Sequence, residues 1–580
     1  MNQEIFLGVS VGILLAAGFI ALFLRFFYRK NTRVLTPLNV LLGGVLLAAV
    51  VLFWPAYFRK EQADWLRTLC LSVYSSFRLF AADGDYEIIA ENIMTDTNVF
   101  YLVYTTLLMV LAPVLTFSVV LSFFRNASAT LRLWCNFGSD LCVFSHLNEK
   151  SVALAKDLKK NRKLTVVFTD VEQNEDGSLS ELQESAYSLN AIYFKKDILG
   201  IKWKFHSKKR SLWFFAIDEN EEKNIRNSLR LMEEYGETPN SRLYLFSTGL
   251  EGEALLHNAG ALTMKVRRIN EVQSNIQRLL HEQGHRLFEN ALPGDDGMKQ
   301  INAVVIGLGK HGSEMVKALA WYGQMDGYRI RIDAFDADPL AKDKFEAQCP
   351  ELMDPNYNGV YVEGEAQYLL KVHSGLDVQT KSFVDELAKL PEITYVLVAL
   401  GTDDANIRAA LDLRMRFERL KCKPIIQAIV FNTEKKKTLS GLTNYRGQAY
   451  DVEFVCDLES ACSEDVIINS DLEADALRRH LQWGQEQEFW NYEYNYRSSI
   501  ALAIAANARI KCGIDVNDDA VVEPLEHRRW NAYMRSQGYV YSGNPDKSSR
   551  NDLGKMHHNL VDFETLPESD KRKDSAVGGA

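Results

Sequence analysis

The stretch V-V-I-G-L-G-K-H-G-S-E-M-V-K-A-L, residues 304–319, constrains the fold more than any other part of this sequence. An apolar run ends at Gly307, Gly309 and Gly312 follow, and a helical pattern begins at once. Gly307 permits a tight turn between strand and helix, and Gly309 lets a phosphate approach the backbone. Gly312 lets the helix pack close to its strand. The stretch therefore predicts a strand, a glycine turn and a helix in direct succession.

A second apolar run, residues 328–335, ends at Asp336, where a carboxylate would accept hydrogen bonds from a ribose. The helix after the glycines would offer unpaired N–H groups and a positive dipole end to an anion. Together these features predict a nucleotide site in a Rossmann fold, with Lys310 and His311 inside its turn. The alternative is a Rossmann unit that kept its tight turn and binds no ligand.

The length of 580 residues predicts several domains, and 47% hydrophobic residues suffice for buried cores. The net charge of −10 argues against a nucleic-acid-binding protein, which normally presents a basic face. The eight cysteines form no C-x-x-C pair and no zinc-like spacing, so no metal site is predicted. Separate cysteines indicate reduced thiols in a cytosol.

Three apolar runs distinguish the N-terminal part, residues 1–130, from the rest of the chain. They predict membrane-spanning helices at about 5–28, 37–58 and 99–124, since such runs are rare in soluble proteins. The first run is too long for a signal peptide and is followed by Arg25, Arg29, Lys30 and Arg33. These cations place the first loop in the cytosol, the N-terminus outside and the C-terminal domains in the cytosol. The prediction is a multi-pass protein of the plasma (inner) membrane.

The segment between the second and third spans, residues 61–98, has apolar residues at helical spacing: Trp65, Leu69, Val73, Phe77 and Phe80. Three placements remain open for it: a helix in the plane of the membrane surface, a helix that dips into the membrane, and a solvated loop. The acids that follow would attract cations if several copies formed a ring: Asp83, Asp85, Glu87 and Glu91. The sequence contains no T-V-G-Y-G filter and does not predict a potassium-selective pore.

The third span contains Pro113 and several hydroxyl side chains, Thr105, Thr116, Ser118 and Ser122. Proline frees backbone carbonyls, which hydroxyls can bond while they line a water path. Small hydroxyl residues in spans also serve helix packing. Both interpretations remain open.

Two α/β units follow the spans, and both predict doubly wound parallel sheets. The first, residues 131–290, has apolar runs at 141–144, 164–168, 191–194, 211–217 and 243–246. Its first turn reads F-S-H-L-N-E-K-S, without glycine, so we expect a degenerate copy. The second unit, residues 300–483, carries the glycine turn and further runs at 393–400, 424–430 and 451–457. Gly401 and Thr402 after its run at 393–400 complete the predicted nucleotide site, and Asp403 and Asp404 fit helix capping.

This pair of units resembles the TrkA-N, or RCK, family of regulatory Rossmann domains, found below membrane spans in ion channels and transporters. The resemblance rests on V-I-G-L-G-K-H-G with Asp336, on V-A-L-G-T-D-D-A-N-I-R-A-A-L, and more weakly on F-A-I-D-E-N-E-E-K-N-I in the first unit. It implies nucleotide-sensing gating and a nucleotide ligand, NAD-like or ATP/ADP-like. The glycines Gly307, Gly309 and Gly312 and the ribose acid Asp336 carry over from the family.

Residues 484–521, rich in aromatic residues and then in alanine, predict a connector helix. Residues 526–541 read E-H-R-R-W-N-A-Y-M-R-S-Q-G-Y-V-Y, and residues 555–574 read K-M-H-H-N-L-V-D-F-E-T-L-P-E-S-D-K-R-K-D. Residues 522–575 thereby resemble the small α-helical ryanodine-receptor (RyR) domain, although both prolines of the family's H-P-x-L-V-P are replaced. Stacking and charge select its ligand candidates: Arg528, Arg529, Trp530, Tyr533, Tyr539, Tyr541, Lys555 and His557. The alternative is that these aromatics form a small core.

Three classes of function remain open. The order of parts favours an oligomeric membrane effector or channel-like protein, not an enzyme, gated by a nucleotide-derived ligand. The resemblances add a role in anti-phage defence. The second class is a membrane-tethered NAD-dependent oxidoreductase, which needs a placed acid or base, whereas His311, His373, His480 and His527 lie in separate parts of the sequence. The third class is a non-conducting regulator of ion transport.

Overall fold

The N-terminal unit, Met1–Cys135, consists of six helices in its described part. Its sequence is rich in apolar and small residues. The helices are α1 Gln3–Phe27, α2 Pro37–Lys60, α3 Trp65–Phe80, α4 Tyr86–Asn92, α5 Val99–Phe123 and α6 Arg125–Trp134. Three described stretches are long and apolar enough to cross a membrane, Gln3–Leu22, Val40–Lys60 and Val99–Phe117, which confirms the prediction of three long apolar helices in this part. α1 approaches α2 closely, because a Cβ on Gly44 would lie 2.2 Å from that of Ala17.

This computed structural model describes residues 3–27, 37–61, 64–92, 99–123, 125–134, 140–171, 181–203, 210–257, 262–294, 297–354, 368–468, 470–514 and 518–575. Residues 136–580 form the second unit.

The first α/β region contains a six-stranded parallel sheet in the order β3-β2-β1-β4-β5-β6. Its strands are β1 Asp140–Phe144, β2 Leu164–Phe168, β3 Ile192–Tyr193, β4 Leu212–Ala216, β5 Ser241–Phe246 and β6 Lys265–Ile269. Its helices are α7 Glu149–Asn161, α8 Glu181–Tyr187, α9 Glu221–Tyr235, α10 Leu250–His257, α11 Glu271–Gln283 and α12 Arg286–Glu289. The strand order reverses between β1 and β4, the position at which doubly wound sheets bind ligands.

The second α/β region repeats this order as β10-β9-β8-β11-β12-β13, with β7 antiparallel to β8. Its strands are β7 Leu292–Pro293, β8 Lys299–Ile306, β9 Tyr328–Asp336, β10 Tyr368–Ser374, β11 Tyr395–Val398, β12 Ile425–Ile429 and β13 Glu453–Val455. Its helices are α13 Lys310–Tyr322, α14 Ala341–Gln348, α15 Pro350–Met353, α16 Lys381–Leu387, α17 Asp403–Leu420, α18 Thr433–Leu439, α19 Leu458–Ala461, α20 Glu464–Ile467 and α21 Asp471–His480. The prediction of two parallel-sheet α/β regions is confirmed.

The two α/β regions exchange helices. Ile276 and Leu279 on α11 lie in the core of the second region, beside α13. In return, Cys462 and Ile467 from the α19–α20 segment lie in the core of the first. Glu464 stabilises the contact of the α19–α20 segment with the first region, because its carboxylate accepts a hydrogen bond from Arg162 Nε at 2.5 Å. The exchange joins the two sheets into one body.

The C-terminal part contains α22 Glu486–Asn491, α23 Glu493–Lys511, α24 Asp519–Ser536, β14 Val540–Tyr541, β15 Met556–His557 and α25 Glu568–Ser575. α24 packs on α13, and the ring centroids of Trp321 and Tyr533 are 6.0 Å apart. Tyr533 and Leu560 belong to the same core as β8 and α13. The boundaries predicted at 130/131 and 521/522 fall inside α6 and α24, because each helix continues across the change in composition.

Candidate functional site

Each glycine of the turn between β8 and α13 has a different environment. Gly307 has φ +91°, and a Cβ there would lie 2.5 Å from the carbonyl oxygen of Ala399. A Cβ on Gly312 would lie 1.7 Å from the carbonyl oxygen of Gly307, so only glycine allows α13 this close to the turn. A Cβ on Gly309 would have no described atom within 4 Å. The backbone at Gly309 therefore faces open space, as a turn that cradles a phosphate requires.

The first turn of α13 presents free backbone donors. Gly309 is its N-cap residue, and within the described residues no side chain caps this helix end. Uncapped N–H groups and the helix dipole favour an anion at this position. The carboxylate of Asp336, at the end of β9, lies beside the turn and accepts a hydrogen bond from Leu308 N–H at 2.6 Å. Asp336 thus fixes the turn, and its predicted role as a ribose ligand stays a prediction.

The corresponding turn of the first region is closed by its own side chains. Asn148 caps α7, where its side chain accepts a hydrogen bond from Ser151 N–H at 2.8 Å. Lys223 on α9 donates hydrogen bonds to two carboxylates. One belongs to Asp170, just after β2, and the other to Asp218, at 2.7 Å. Burial opposes the charge of Lys223, but these hydrogen bonds outweigh it and raise its pKa. One ammonium group therefore pairs with both carboxylates and offsets one of their two negative charges.

His146 completes this cluster, with Nδ1 3.8 Å from Asp170 and 3.7 Å from Asp218. His146, Asp170 and Asp218 lie close enough to share a metal ion. The ammonium of Lys223 balances one of the two negative charges of Asp170 and Asp218. The prediction that the chain holds no metal stays a prediction.

A cavity of about 990 Å³ lies between the two α/β regions, where the carboxyl ends of their strands face each other. The first region contributes the turn residues His146 and Lys150, and the second contributes His311 and Phe431. His311 packs on Phe431 with ring centroids 5.1 Å apart, and its Nε2 finds no hydrogen-bond partner among the described residues. Burial, assisted by the charge of Lys310, lowers the pKa of His311 to about 4. The imidazole is therefore neutral at neutral pH and can accept or donate a proton in a hydrogen bond to a ligand.

Lys310 connects the glycine turn to the first region. Its Nζ lies 3.7 Å from Glu221 Oε1 and 3.4 Å from Thr248 Oγ1. Burial raises the pKa of Glu221, but hydrogen bonds from Thr248 and Gly249 outweigh it and lower the pKa to about 2. Glu221 is thus a stable carboxylate beside a lysine that a bound phosphate would also attract.

In the turn after β11, Gly401 has a left-handed backbone and Thr402 caps the following helix, while their predicted part in a nucleotide site stays a prediction. Gly401 has φ +89°, which favours glycine. Thr402 is the N-cap of α17, and its Oγ1 accepts a hydrogen bond from Ala405 N–H. Asp403 does not cap this helix as expected; it accepts hydrogen bonds from Phe431 N–H and Asn432 N–H and joins the ends of β11 and β12.

The C-terminal ligand candidates separate into two groups. Arg529, Trp530 and His557 line one cleft of about 200 Å³ together with Tyr494 and Arg550. The remaining candidates, Arg528, Tyr533, Tyr539, Tyr541 and Lys555, are not among the described residues that line it.

Four of these remaining residues have other contacts. Tyr533 packs on Trp321, and Tyr539 lies 6.0 Å from Tyr494 between ring centroids. Tyr541 N–H donates to Glu351 in the second α/β region, and Lys555 donates to the carbonyl oxygen of Gln537. Tyr533 therefore lies in the core, whereas Trp530 lines the cleft, and ligand binding at the cleft stays a prediction.

A buried ion triad underlies this cleft and was missed from the sequence. Glu526 pairs with Arg529 at 2.6 Å and with Arg509 on α23 at 2.7 Å, and all three side chains are almost fully buried. Two guanidinium groups face one carboxylate, so the triad carries a net positive charge beside the cleft. Arg509 lies 17 residues before Glu526, and its position in the alanine-rich part of α23 is the sequence signal of a buried partner.

No protein-family model matches the sequence, and no curated protein matches it. The functional argument therefore depends on the geometry of the glycine turn, the cavity and the C-terminal cleft.

Proposed function

We propose that this protein is a ligand-gated membrane effector, channel-like and oligomeric, whose cytosolic domains sense a nucleotide or a nucleotide-derived signal. The observation that supports it is the contrast between the two turns. The turn at Gly307–Gly312 keeps an uncapped helix end and open space at Gly309, whereas Asn148 and Lys223 close the other. The nucleotide, NAD-like or ATP/ADP-like, binds at the open turn.

The proposal includes a second ligand position at the C-terminal cleft. Trp530 offers a stacking face there, and the net positive charge of the triad favours an anionic ligand. α24, which carries Trp530 and Arg529, packs on α13, the helix that starts at the glycine turn. A shift of α24 on ligand binding thus has a direct mechanical route to the nucleotide turn.

Activation requires that the signal bind the open arrangement of the spans more tightly than the closed one, since equal affinity shifts nothing. The likeness to RCK units below membrane spans and to the RyR domain supports this gating role and a role in anti-phage defence. The same proposal places the protein in the plasma (inner) membrane with its α/β regions in the cytosol.

Gly309→Val tests the nucleotide site. The backbone of Gly309 has φ −62° and ψ −171°, which valine adopts, and its Cβ position is free of described atoms. The variant should fold normally and lose nucleotide binding, measured by isothermal titration with NAD and with ATP, because the side chain occupies the phosphate's path. Wild type should bind one of the two and gain about 2.7 kcal/mol of stability at one hundred times its dissociation constant.

Leu147→Val, one residue before the N-cap Asn148 in the closed turn, is the control and should leave nucleotide binding unchanged. If Gly309→Val binds the nucleotide with the affinity of wild type, the nucleotide does not bind at this turn. An ion-flux assay in liposomes then separates an effector from a non-conducting regulator, and a cofactor-turnover assay detects an oxidoreductase.

A further inference from the structure

Helix α3 has its polar side inside and its apolar side outside. Its buried residues are Thr68, Ser72, Ser75, Ser76 and Leu79. Its outward face carries the large exposed residues Trp65, Leu66, Leu69, Tyr74 and Phe77, with Trp65 exposed to 63% and Phe77 to 59%. A helix in water has the opposite arrangement, since exposure of large apolar side chains costs free energy. The exposed apolar face of α3 is therefore stable only in apolar surroundings.

The C-terminal end of α3 reaches the middle of α5. A Cβ on Gly84, four residues after α3, would lie 3.0 Å from the side chain of Met109. Met109 is ten residues, or about 15 Å, along α5 from Val99, and the hydrocarbon core of a bilayer is about 30 Å thick. Leu79 and Ile89, before and after this tip, belong to the same core as Leu108 of α5. The chain therefore descends to about half the depth of the α5 span and returns.

A hydrogen-bond network fixes the tip in this position. Ser75 Oγ donates to Asp85 Oδ2 at 2.5 Å, and Tyr57 Oη on α2 donates to the same oxygen at 2.9 Å. Arg78 pairs with the other oxygen of Asp85 at 2.7 Å. These contacts explain why the hydroxyl face of α3 turns inward: it satisfies a carboxylate that otherwise would be buried and unpaired.

The outward face of α3 continues the apolar surface of the spans. α5 exposes Val103, Leu107, Val110 and Val114, and α1 exposes Leu15 and Phe19. The chemistry of α3 also changes along its length: Trp65 and the exposed Arg67 stand in its first turn, and apolar and aromatic residues follow on the outward face. Tryptophan and arginine suit the headgroup level, and the residues deeper along the helix suit the acyl chains.

We propose that α3 is a re-entrant membrane helix, with its outward face covered by lipid acyl chains and its tip, residues 81–85, open to water at mid-depth. Water is needed at the tip because the side chain of Asp83 is 65% exposed while it pairs with Arg78, and irregular backbone at this depth persists only beside protein or water. A helix lying in the plane of the membrane surface would not reach Met109. This proposal requires the spans but not the nucleotide site.

The test uses single cysteines in a cysteine-free full-length chain, each labelled with a small fluorophore in detergent and reconstituted into phosphatidylcholine vesicles. Nitroxide lipids that carry the quencher deep in the acyl chain or at the headgroup report depth, and aqueous iodide reports contact with water. Phe77→Cys should lose most fluorescence with the deep quencher, as should Val110→Cys on α5. Trp65→Cys should respond more to the headgroup quencher. Ala81→Cys should be quenched by iodide.

Leu79→Cys, on the buried side of the same helix, is the matched control and should respond weakly to both lipid quenchers. Quenching of Phe77→Cys by iodide instead of lipid would make α3 a solvated loop and overturn the proposal. Protection of Phe77→Cys from all quenchers, equal to that of Leu79→Cys, would also overturn it, because a second copy of the chain would then cover the face. Nucleotide binding by the same preparations shows separately whether the proposed sensor is intact.

Discussion

At the scale of single residues, the turn at Gly307–Gly312 separates requirements of folding from requirements of binding. Gly307 and Gly312 contact backbone atoms that leave no space for a side chain. Gly309 faces open space, so its lack of a side chain has no explanation within the described fold. A substitution at Gly312 should therefore destabilise the protein, by about 1–3 kcal/mol for an overpacked site, whereas one at Gly309 should act on a ligand.

His311 makes the stability of the second unit, residues 136–580, depend on pH. Burial lowers its pKa to about 4, and an unfolded histidine titrates near 6.5. The unfolded chain therefore binds more protons between these values, and the contribution of His311, complete above about pH 6.5, is lost as pH falls toward about 4. Relative to His311→Gln, wild type should lose thermal stability over this range and remain unchanged above it.

The measurement is the unfolding temperature of the detergent-purified full chain as a function of pH, taken as the difference between the two proteins. The difference cancels the titration of all other groups. A difference that does not change with pH would mean that His311 is protonated as readily in the folded protein as in the unfolded one.

At the scale of elements, α13 and α24 join the two candidate ligand positions. α13 begins at the glycine turn and contacts α24 through Trp321 and Tyr533. α24 carries Arg529 and Trp530 of the cleft and is anchored to α23 by the pair of Glu526 with Arg509. The cleft, the connector and the glycine turn thus depend on one another's position.

Glu526→Gln should destabilise this group of helices strongly. Removal of the carboxylate charge leaves Arg509 and Arg529 buried and unbalanced, and loss of one partner of a buried ion pair costs about 3–5 kcal/mol. Urea-induced unfolding of the detergent-purified chain measures the effect. Glu564→Gln, whose side chain is 81% exposed, is the control and should be nearly neutral. Equal stability of the two variants would show that the arginines do not depend on Glu526.

At the scale of the whole molecule, the three apolar helices predict a topology in which the two ends of the chain lie on opposite sides of a membrane. The cationic first loop predicts that the N-terminus lies outside and the α/β regions inside. In a cysteine-free chain, Glu91→Cys near the end of α4 should then react with an impermeant maleimide on intact cells, whereas Glu434→Cys on α18 should react only after lysis. The reverse labelling pattern would show that the chain has the opposite orientation in the membrane.

Local sequence determined those elements whose chemistry is complete within a short stretch. The spans were predictable because hydrocarbon demands long apolar helices, and strands such as β4 and β8 because a strand buried on both faces reads as an apolar run. The glycine turn was predictable because only glycine accepts the contacts of Gly307 and Gly312. β6 and β10 were missed; both are edge strands, and K-V-R-R-I and Y-L-L-K-V-H-S mix exposed cations with apolar residues.

Tertiary structure decided everything that depends on residues distant in sequence. The closure of the first turn needs Lys223 to reach Asp170, 53 positions away, and the triad needs Arg509 from α23 beside Glu526. The orientation of α3 is the clearest case. Its periodic apolar residues predict a helix and a face, but whether that face lies inward or outward depends on Asp85, Tyr57 and Met109. Periodicity defines the faces of a helix, and only its neighbours select which face is buried.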